Sequence, residues 1–331
     1  MGIISKVKRA IEQPGKYDYF VRTRVNKAIL LVNRGRYGAL LCLIITGIVG
    51  RDVYGVYLSI LRRVVPRGLV IIDLDGDDLI LDLSDPGISR DLLLYGTREA
   101  QPAKIFEREL RRIGATESEV VCFDVGANIG YYTIIQARTL DNGEVHAIEP
   151  VGQNVALLSK NVRLNGYADS VVVEQCAIGA ESGTGRLHLS SHSNLHHMDL
   201  DSGRTDGQSE DAIDVTVRSL DEYAERQGID FGNVNAVRMD LEGYETEVIR
   251  GMSSILEAPG PTLLYIEVHN NLLERERLSS MLQELKSSGF EIVATEYDII
   301  TARPLPISHD IESWSELEEI DDAYSLIVKK D

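Results

Sequence analysis

Cysteine is nearly absent. Cys42, Cys122 and Cys176 are the only three in 331 residues, too few and too widely spaced for a disulfide framework or a zinc site. They read as buried thiols in a reducing compartment. Positive charge is also short: 34 Lys and Arg stand against 52 Asp and Glu, a net charge of −18. That balance argues against nucleic acid as a partner, because phosphate repels carboxylate. A hydrophobic fraction of 44% excludes a disordered polyanion. No uncharged apolar run reaches the ~18–20 residues that span a bilayer. No glycine pattern matches a dinucleotide site or a phosphate loop. Internal repeats and low-complexity tracts are absent as well.

The charge that is present is unevenly placed. Residues 1–67 hold 13 Lys and Arg and 3 Asp and Glu, a sum of +10; residues 68–331 hold 21 and 49, a sum of −28. Arginine outnumbers lysine 25 to 9. An acidic, lysine-poor body points to a halophilic, archaeal host. At molar salt the Debye length falls to ~3 Å and carboxylate repulsion is screened. An ordinary acidic protein is the other reading. The basic head contains Tyr37–Gly50, an apolar run bounded by Arg34, Arg36 and Arg51. It does not read as a secretory signal, since the region before it is too long and no small-residue cleavage site follows. Helices are expected over Ala28–Val32, Tyr37–Val49 and Val53–Leu61. Two roles stay open for them. One is a basic hairpin on an anionic membrane surface, held by apolar burial and roughly 1 kcal/mol per basic residue. The other is a helical cap on the body or on a partner subunit.

The body alternates strand and helix. Leu69–Leu83 reads as a hairpin turning at Asp75-Gly76. Ile88–Leu110 reads as helix, broken near Gly96 and Pro102. Strands are expected at Val120–Val125, Val145–Glu149, Val171–Cys176, Ala236–Asp240, Leu263–Val268, Phe290–Thr295 and Tyr324–Val328. Helices fall between most of them, at Tyr131–Thr139, Gln153–Leu164, Ser219–Glu225, Glu245–Ile249 and Glu274–Ser288. Such alternation implies an α/β fold with a doubly wound, mostly parallel sheet. The polar stretch Ser190–Asp214 reads as a long loop with weak strand content.

The sharpest signal is Val121–Thr133, VCFDVGANIGYYT. An apolar strand ends in Asp124, and Gly126 and Gly130 let the backbone pass close to a ligand before a helix begins. Ligands of open α/β sheets bind beyond the carboxyl ends of the strands. A carboxylate in this loop is poor company for a pyrophosphate. It suits a cationic amino end, as in S-adenosylmethionine. Glu149 ends the second strand, where it is placed to accept hydrogen bonds from ribose hydroxyls.

With these residues the chain resembles the FkbM family of S-adenosylmethionine-dependent methyltransferases. The resemblance is carried by FDVGANIGYYT (123–133), HAIEP (146–150), Ala177-Ile178-Gly179, RSLDEY (218–223), VRMDLEGYETEVIRG (237–251) and LLYIEVHN (263–270), with LSDPGISRDLLLYGTREA (83–100) upstream. It covers about 70–297 and leaves out the head. It implies a Rossmann-like class I methyltransferase sheet of seven strands, ordered 3-2-1-4-5-7-6 with the seventh antiparallel. The expected domains are then a basic helical extension over 1–67 and a methyltransferase domain over 68–331, with its core at 119–297. The resemblance further implies that Asp124, Gly126, Asn128 and Gly130 form the cofactor loop, that Glu149 holds the ribose, and that Ala177 and Ile178 meet the adenine. Asp240 is then expected near the donor methyl and the acceptor, with Glu242 and Gly243 shaping the next turn. Glu267 and His269 face the acceptor pocket.

Family members O-methylate hydroxyls on sugars or polyketide-like products. A hydroxyl with a pKa far above 7 needs a general base within hydrogen-bond reach. His269 is the expected base, with Asp240 orienting it or taking the proton itself. The other reading is that His269 only hydrogen-bonds Glu267 or the backbone. Tyr131 and Tyr132 are expected to pack rather than react. No metal is expected. His188, His192, His196 and His197 lie in turn-like sequence and read as an acceptor lid or an exposed loop. The expected activity is O-methylation of a glycan or lipid-linked sugar, in the cytoplasm, with the head as a peripheral membrane contact. Methyl esterification of a uronic-acid carboxylate and a non-catalytic S-adenosylmethionine-binding module are the rivals. Monomer and homo-oligomer both stay open.

Overall fold

The computed structural model describes residues 31–32, 37–49, 54–65, 68–190, 197–198, 212–297, 313–320 and 323–331. The described chain forms two compact units, divided between Arg98 and Glu99. The division falls later than residue 67 because the helix after the hairpin shares a core with the head.

In the first unit, helices α1 (Tyr37–Val49) and α2 (Tyr54–Val64) form where the apolar runs predict them. Strands β1 (Leu69–Leu74) and β2 (Asp77–Asp82) pair antiparallel. Asp75 (φ 54°) and Gly76 (φ 104°) both turn left-handed, as a two-residue hairpin requires. Helix α3 (Ile88–Tyr95) stops at Gly96, whose left-handed backbone returns its N–H to Leu92 O. Leu31, Ala39, Cys42, Leu43, Tyr54 and Leu94 form a small core. The outer faces remain apolar. Tyr37, Leu41 and Ile44 on α1, and Val56, Ile60 and Val64 on α2, are each at least half exposed. Among the described residues, no helix is long and apolar enough to cross a membrane.

The second unit begins with α4 (Ala100–Gly114). Pro102 sits inside its first turn, where no N–H is needed. The expected break is therefore confined to Gly96–Glu99. The chain then runs through β3 (Val120–Val125), α5 (Tyr131–Thr139), β4 (Gly143–Ile148), α6 (Gly152–Leu164) and β5 (Val171–Glu174). Next come β6 (Ala177–Ile178), β7 (Gly183–His188), β8 (His197–Met198), β9 (Ala212–Arg218) and α7 (Leu220–Gln227). The last stretch holds β10 (Val234–Asp240), α8 (Glu245–Arg250), α9 (Ser253–Glu257), β11 (Thr262–Val268), α10 (Arg275–Ser287), β12 (Glu291–Tyr297), α11 (Trp314–Leu317) and β13 (Tyr324–Lys330). The main sheet has the order β12-β13-β11-β10-β3-β4-β5. Only β13 runs antiparallel to its neighbours. This is the expected 3-2-1-4-5-7-6 order.

A second sheet, β6-β9-β7-β8, departs from expectation. The third strand was expected to run to Cys176, but it leaves the main sheet after Glu174. Ala177 and Ile178 pair instead with Val217 and Arg218. Ile213, Val215 and Val217 alternate inward on β9 and pack with Val151, Ala177 and Leu187. The expected loop over 190–214 therefore ends in a strand. His188 and His197 are register partners in β7 and β8, whereas His192 and His196 lie outside the described residues.

The two faces of the main sheet differ in chemistry. Val121, Phe123, Val125, Met239, Leu264 and Ile266 join one apolar core with residues of α7–α10. The alternate positions include Asp124, Arg238, Tyr265 and Glu267, all buried. Register sets Arg238 against Asp124 and Asp240 against Glu267. Period-two alternation thus gathers charge on the face opposite the apolar core.

Candidate active site

The loop after β3 turns on three left-handed residues, Gly126 (φ 75°), Asn128 (φ 52°) and Gly130 (φ 94°). A Cβ on Gly126 would lie 2.5 Å from Asp240 O, so this loop touches the end of β10 and only glycine fits there. Gly126 N and Ala127 N donate to Ile148 O at 2.9 and 3.0 Å. The three central strand ends are thereby tied together.

Glu149 follows β4 and is buried. Its Oε1 accepts from Val151 N (2.9 Å) and Asn154 Nδ2 (3.2 Å), and its Oε2 accepts from Asn128 N (3.0 Å). A carboxylate oxygen takes about two donors. Oε2 thus keeps capacity for one more, which is what a ribose hydroxyl requires. Burial raises the Glu149 pKa to about 7, against the lowering effect of these hydrogen bonds.

Asp124 is placed differently from the expectation that it meets a ligand. Its side chain is fully buried; Thr133 Oγ1 donates to Oδ2 at 2.6 Å, and Arg238 Nη1 lies 3.7 Å from Oδ1. Burial raises its pKa, opposed by Arg238 and Thr133. It anchors the loop from beneath. Ala177 and Ile178 likewise turn their side chains into cores, and their backbone pairs with Val217 and Arg218 of β9.

Asp240, Glu267 and His269 do come together. Asp240 ends β10, Glu267 lies beside it on β11, and His269 follows β11. His269 Nε2 lies 3.4 Å from Glu242 Oε2 and 3.9 Å from Asp240 Oδ1. The partner of Nδ1 is neither Asp240 nor Glu267. It is Glu245, whose Oε1 accepts at 2.7 Å. Glu245 is fully buried in the first turn of α8 and also accepts from Gly243 N at 3.1 Å. Glu242 (φ 50°) and Gly243 (φ 95°) make the left-handed turn that permits this. Burial lowers the His269 pKa, but Glu245, Glu242 and Glu267 outweigh it and hold the value well above the usual imidazole range. A protonated His269 has to lose that proton before it can accept another.

Arg238 was not foreseen. It is buried, with Nη2 3.0 Å from Asp240 Oδ2 and 3.9 Å from Glu267 Oε2. Burial works against its charge, but Asp240 and Asp124 more than offset that and keep it protonated. Its guanidinium stacks 4.2 Å over the Tyr132 ring. Tyr132 and Tyr265 hydroxyls both donate to Glu99 Oε2, at 2.7 and 2.5 Å. Tyr132 thus packs, as expected, and so does the buried Tyr131. A basic residue inside a buried strand, VNAVRMD, was the available signal for Arg238.

The model of the methyltransferase FkbM domain matches residues 124–292, and the chain belongs to this family of S-adenosylmethionine-dependent methyltransferases. Its cofactor is S-adenosylmethionine. The chain is 27% identical over 204 residues to the 31-O-demethyl-FK506 methyltransferase FkbM of Streptomyces tacrolimicus, covering 53% of this chain and 74% of that one. It is 24% identical over 174 residues to methyltransferase sdnD of Sordaria araneosa, covering 45% of this chain and 66% of the relative, just under two thirds of its length. A solved structure of Pyrococcus horikoshii TYW2 in complex with MeSAdo aligns with a TM-score of 0.43 and 14% identity, over 84% of this chain and 80% of that one.

Proposed function

We propose that the chain transfers a methyl group from S-adenosylmethionine to a hydroxyl of a glycan or lipid-linked sugar. The observation that carries this reading is the meeting of Asp240, Glu267 and His269 at the ends of two adjacent central strands, against the Gly126 turn. When bound, the cofactor supplies a methyl already activated on a sulfonium, so the protein has to align the acceptor and manage its proton. Glu149 receives a ribose hydroxyl at Oε2. Gly126, Asn128 and Gly130 shape the loop, Asp124 holds it through Thr133 and Arg238, and the backbone at Ala177 and Ile178 meets the adenine.

On the acceptor side, His269 engages the reacting hydroxyl through Nε2, and Asp240 and Glu267 accept hydrogen bonds from neighbouring hydroxyls. A wall of carboxylates suits a polyol, which donates hydrogen bonds. It repels an ionised uronic acid, which counts against methyl esterification. His269→Ala and Asp240→Ala are expected to abolish turnover while S-adenosylhomocysteine still binds. Loss of turnover only together with loss of that binding would contradict the roles assigned.

The apolar outer faces of α1 and α2, with Arg62 and Arg63 in the last turn of α2, support a cytoplasmic enzyme resting on an anionic membrane where lipid-linked acceptors lie. The acidic body suits a salt-rich cytoplasm. Sedimentation with anionic vesicles tests this; deletion of residues 1–67 should abolish it, and a full-length chain that never sediments rejects it.

A further inference from the structure

Glu99 stands at the start of α4, yet its side chain makes no capping hydrogen bond there. An acceptor at a helix start ordinarily caps the helix. Its backbone is left-handed, at φ 43° and ψ 52°, a conformation that costs energy in any residue with a Cβ. Strain of this kind persists where the side chain has a task elsewhere. Here Oε2 accepts from the Tyr132 and Tyr265 hydroxyls at 2.7 and 2.5 Å, and those two hydroxyl oxygens lie 2.9 Å apart. Burial and the Glu99 carboxylate hold both tyrosine pKa values well above the usual phenol range, so both keep the protons they donate. The rings meet edge to face with centroids 5.3 Å apart. The Arg238 guanidinium carbon lies 4.2 Å from the Tyr132 centroid and 5.9 Å from the Tyr265 centroid. Arg238 Nη2 then donates to Asp240 Oδ2 at 3.0 Å, and the other oxygen, Oδ1, is the one 3.9 Å from His269 Nε2.

We propose that Glu99 is a positioning residue for methyl transfer: it fixes the Tyr132 and Tyr265 rings, the rings seat Arg238, and Arg238 orients the Asp240 carboxylate toward the acceptor; this rests on the acceptor-site reading above. The Tyr132 ring is held at two places, at its hydroxyl by Glu99 and on its face by Arg238. Without the Glu99 carboxylate the buried hydroxyls lose their charged acceptor, and turning to another one is favoured over staying unpaired. Arg238 moves with the ring face it stacks on, and the hydrogen bond to Asp240 Oδ2 moves with Arg238. Asp240 Oδ1 then no longer meets His269 and the acceptor hydroxyl in register. A misplacement of about 1 Å at a reacting centre costs roughly 10²-fold in rate. The route through two tyrosines and an arginine gives Glu99 an effect on turnover from outside the cluster of Asp240, Glu267 and His269.

The test uses the full-length chain with isotope-labelled arginine. The Arg238 guanidinium is followed by nuclear magnetic resonance and assigned by its loss in Arg238→Lys. Calorimetry with S-adenosylhomocysteine and methyl transfer to a glycan fraction run on the same samples. In wild type the Arg238 Nη–H signal should be sharp and slow to exchange with water. In Glu99→Ala it should broaden or vanish, and kcat should fall at least about tenfold, with S-adenosylhomocysteine affinity little changed. Glu99→Gln, which keeps a carbonyl acceptor for the hydroxyls, should recover most of the signal and the rate. A wild-type Arg238 signal and rate in Glu99→Ala, or a Glu99→Gln variant as impaired as Glu99→Ala, overturns the proposal. If Glu99→Ala does not bind S-adenosylhomocysteine, the Tyr132→Phe and Tyr265→Phe double variant, which removes both hydroxyls and keeps the rings, decides by the same two readouts. If wild type binds S-adenosylhomocysteine and methylates no glycan while the Arg238 signal responds as described, the route from Glu99 to Arg238 stands and the acceptor reading fails. If wild type methylates a glycan and neither signal nor rate responds, Glu99 alone is rejected.

Discussion

Glu245 accepts the Nδ1–H of His269 at 2.7 Å, in a fully buried pair that joins the turn after β10 to the end of β11. A hydrogen bond to a charged group contributes about 1.5–3 kcal/mol. Here it also decides which nitrogen faces Asp240 and Glu242. Glu245→Gln keeps the volume and removes the charge. Turnover should fall at least about tenfold, with little change in S-adenosylhomocysteine affinity. The rise of rate with pH should move to lower pH, because the imidazolium loses its strongest support. A variant that only melts earlier, with an unmoved pH profile, would make Glu245 purely structural.

Wild-type turnover should increase with pH from neutrality into the alkaline range. In the proposed reaction His269 engages the acceptor through a deprotonated Nε2, and the carboxylates around it hold its pKa well above the usual imidazole range. Stability runs the opposite way. A raised folded-state pKa gives a contribution fully present below the unfolded value and lost as pH rises through the folded one. Alkaline pH should therefore destabilise wild type more than His269→Gln in paired thermal melts. Parallel curves would remove His269 as the titrating group.

Glu149 titrates at about 7. Its ionised form is the better acceptor for a ribose hydroxyl, so S-adenosylhomocysteine affinity should rise as pH increases through about 7. Glu149→Gln should weaken binding and flatten that dependence. Calorimetry across the range checks both, and an equally steep dependence in the variant would assign the titration elsewhere.

Arg238 lies within 4 Å of Asp124, Asp240 and Glu267 alike. Removing one partner of a buried charge cluster costs roughly 3–5 kcal/mol. Arg238→Leu should lower stability by about that amount in chemical denaturation. Addition of Asp124→Asn should recover part of the loss. Simple additivity of the two changes would mean that they are not coupled.

The strands of the main sheet were legible because each is a short β-branched run, and their order followed from the family resemblance. Gly126 and Gly130 stood out because the turn and helix start that follow a strand end need residues free to go left-handed. Glu149 stood out as an acid at a strand end. Glu245 was not legible: it lies in the quoted block VRMDLEGYETEVIRG, but nothing local says that it reaches His269, 24 residues away. The Glu99 contacts were hidden for the same reason, with Tyr132 and Tyr265 lying 33 and 166 residues further along. Strand β7, GTGRLH, was hidden by two glycines that count against a strand.

The central claim is tested most directly by methyl-labelled S-adenosylmethionine incubated with the full-length chain and fractionated glycans, with the transferred label then treated with alkali. Alkali-stable methyl ether in the lipid-linked fraction, absent with His269→Ala, is the predicted result. Alkali-labile methyl ester, or no transfer to any glycan by a chain that binds S-adenosylhomocysteine, would contradict it.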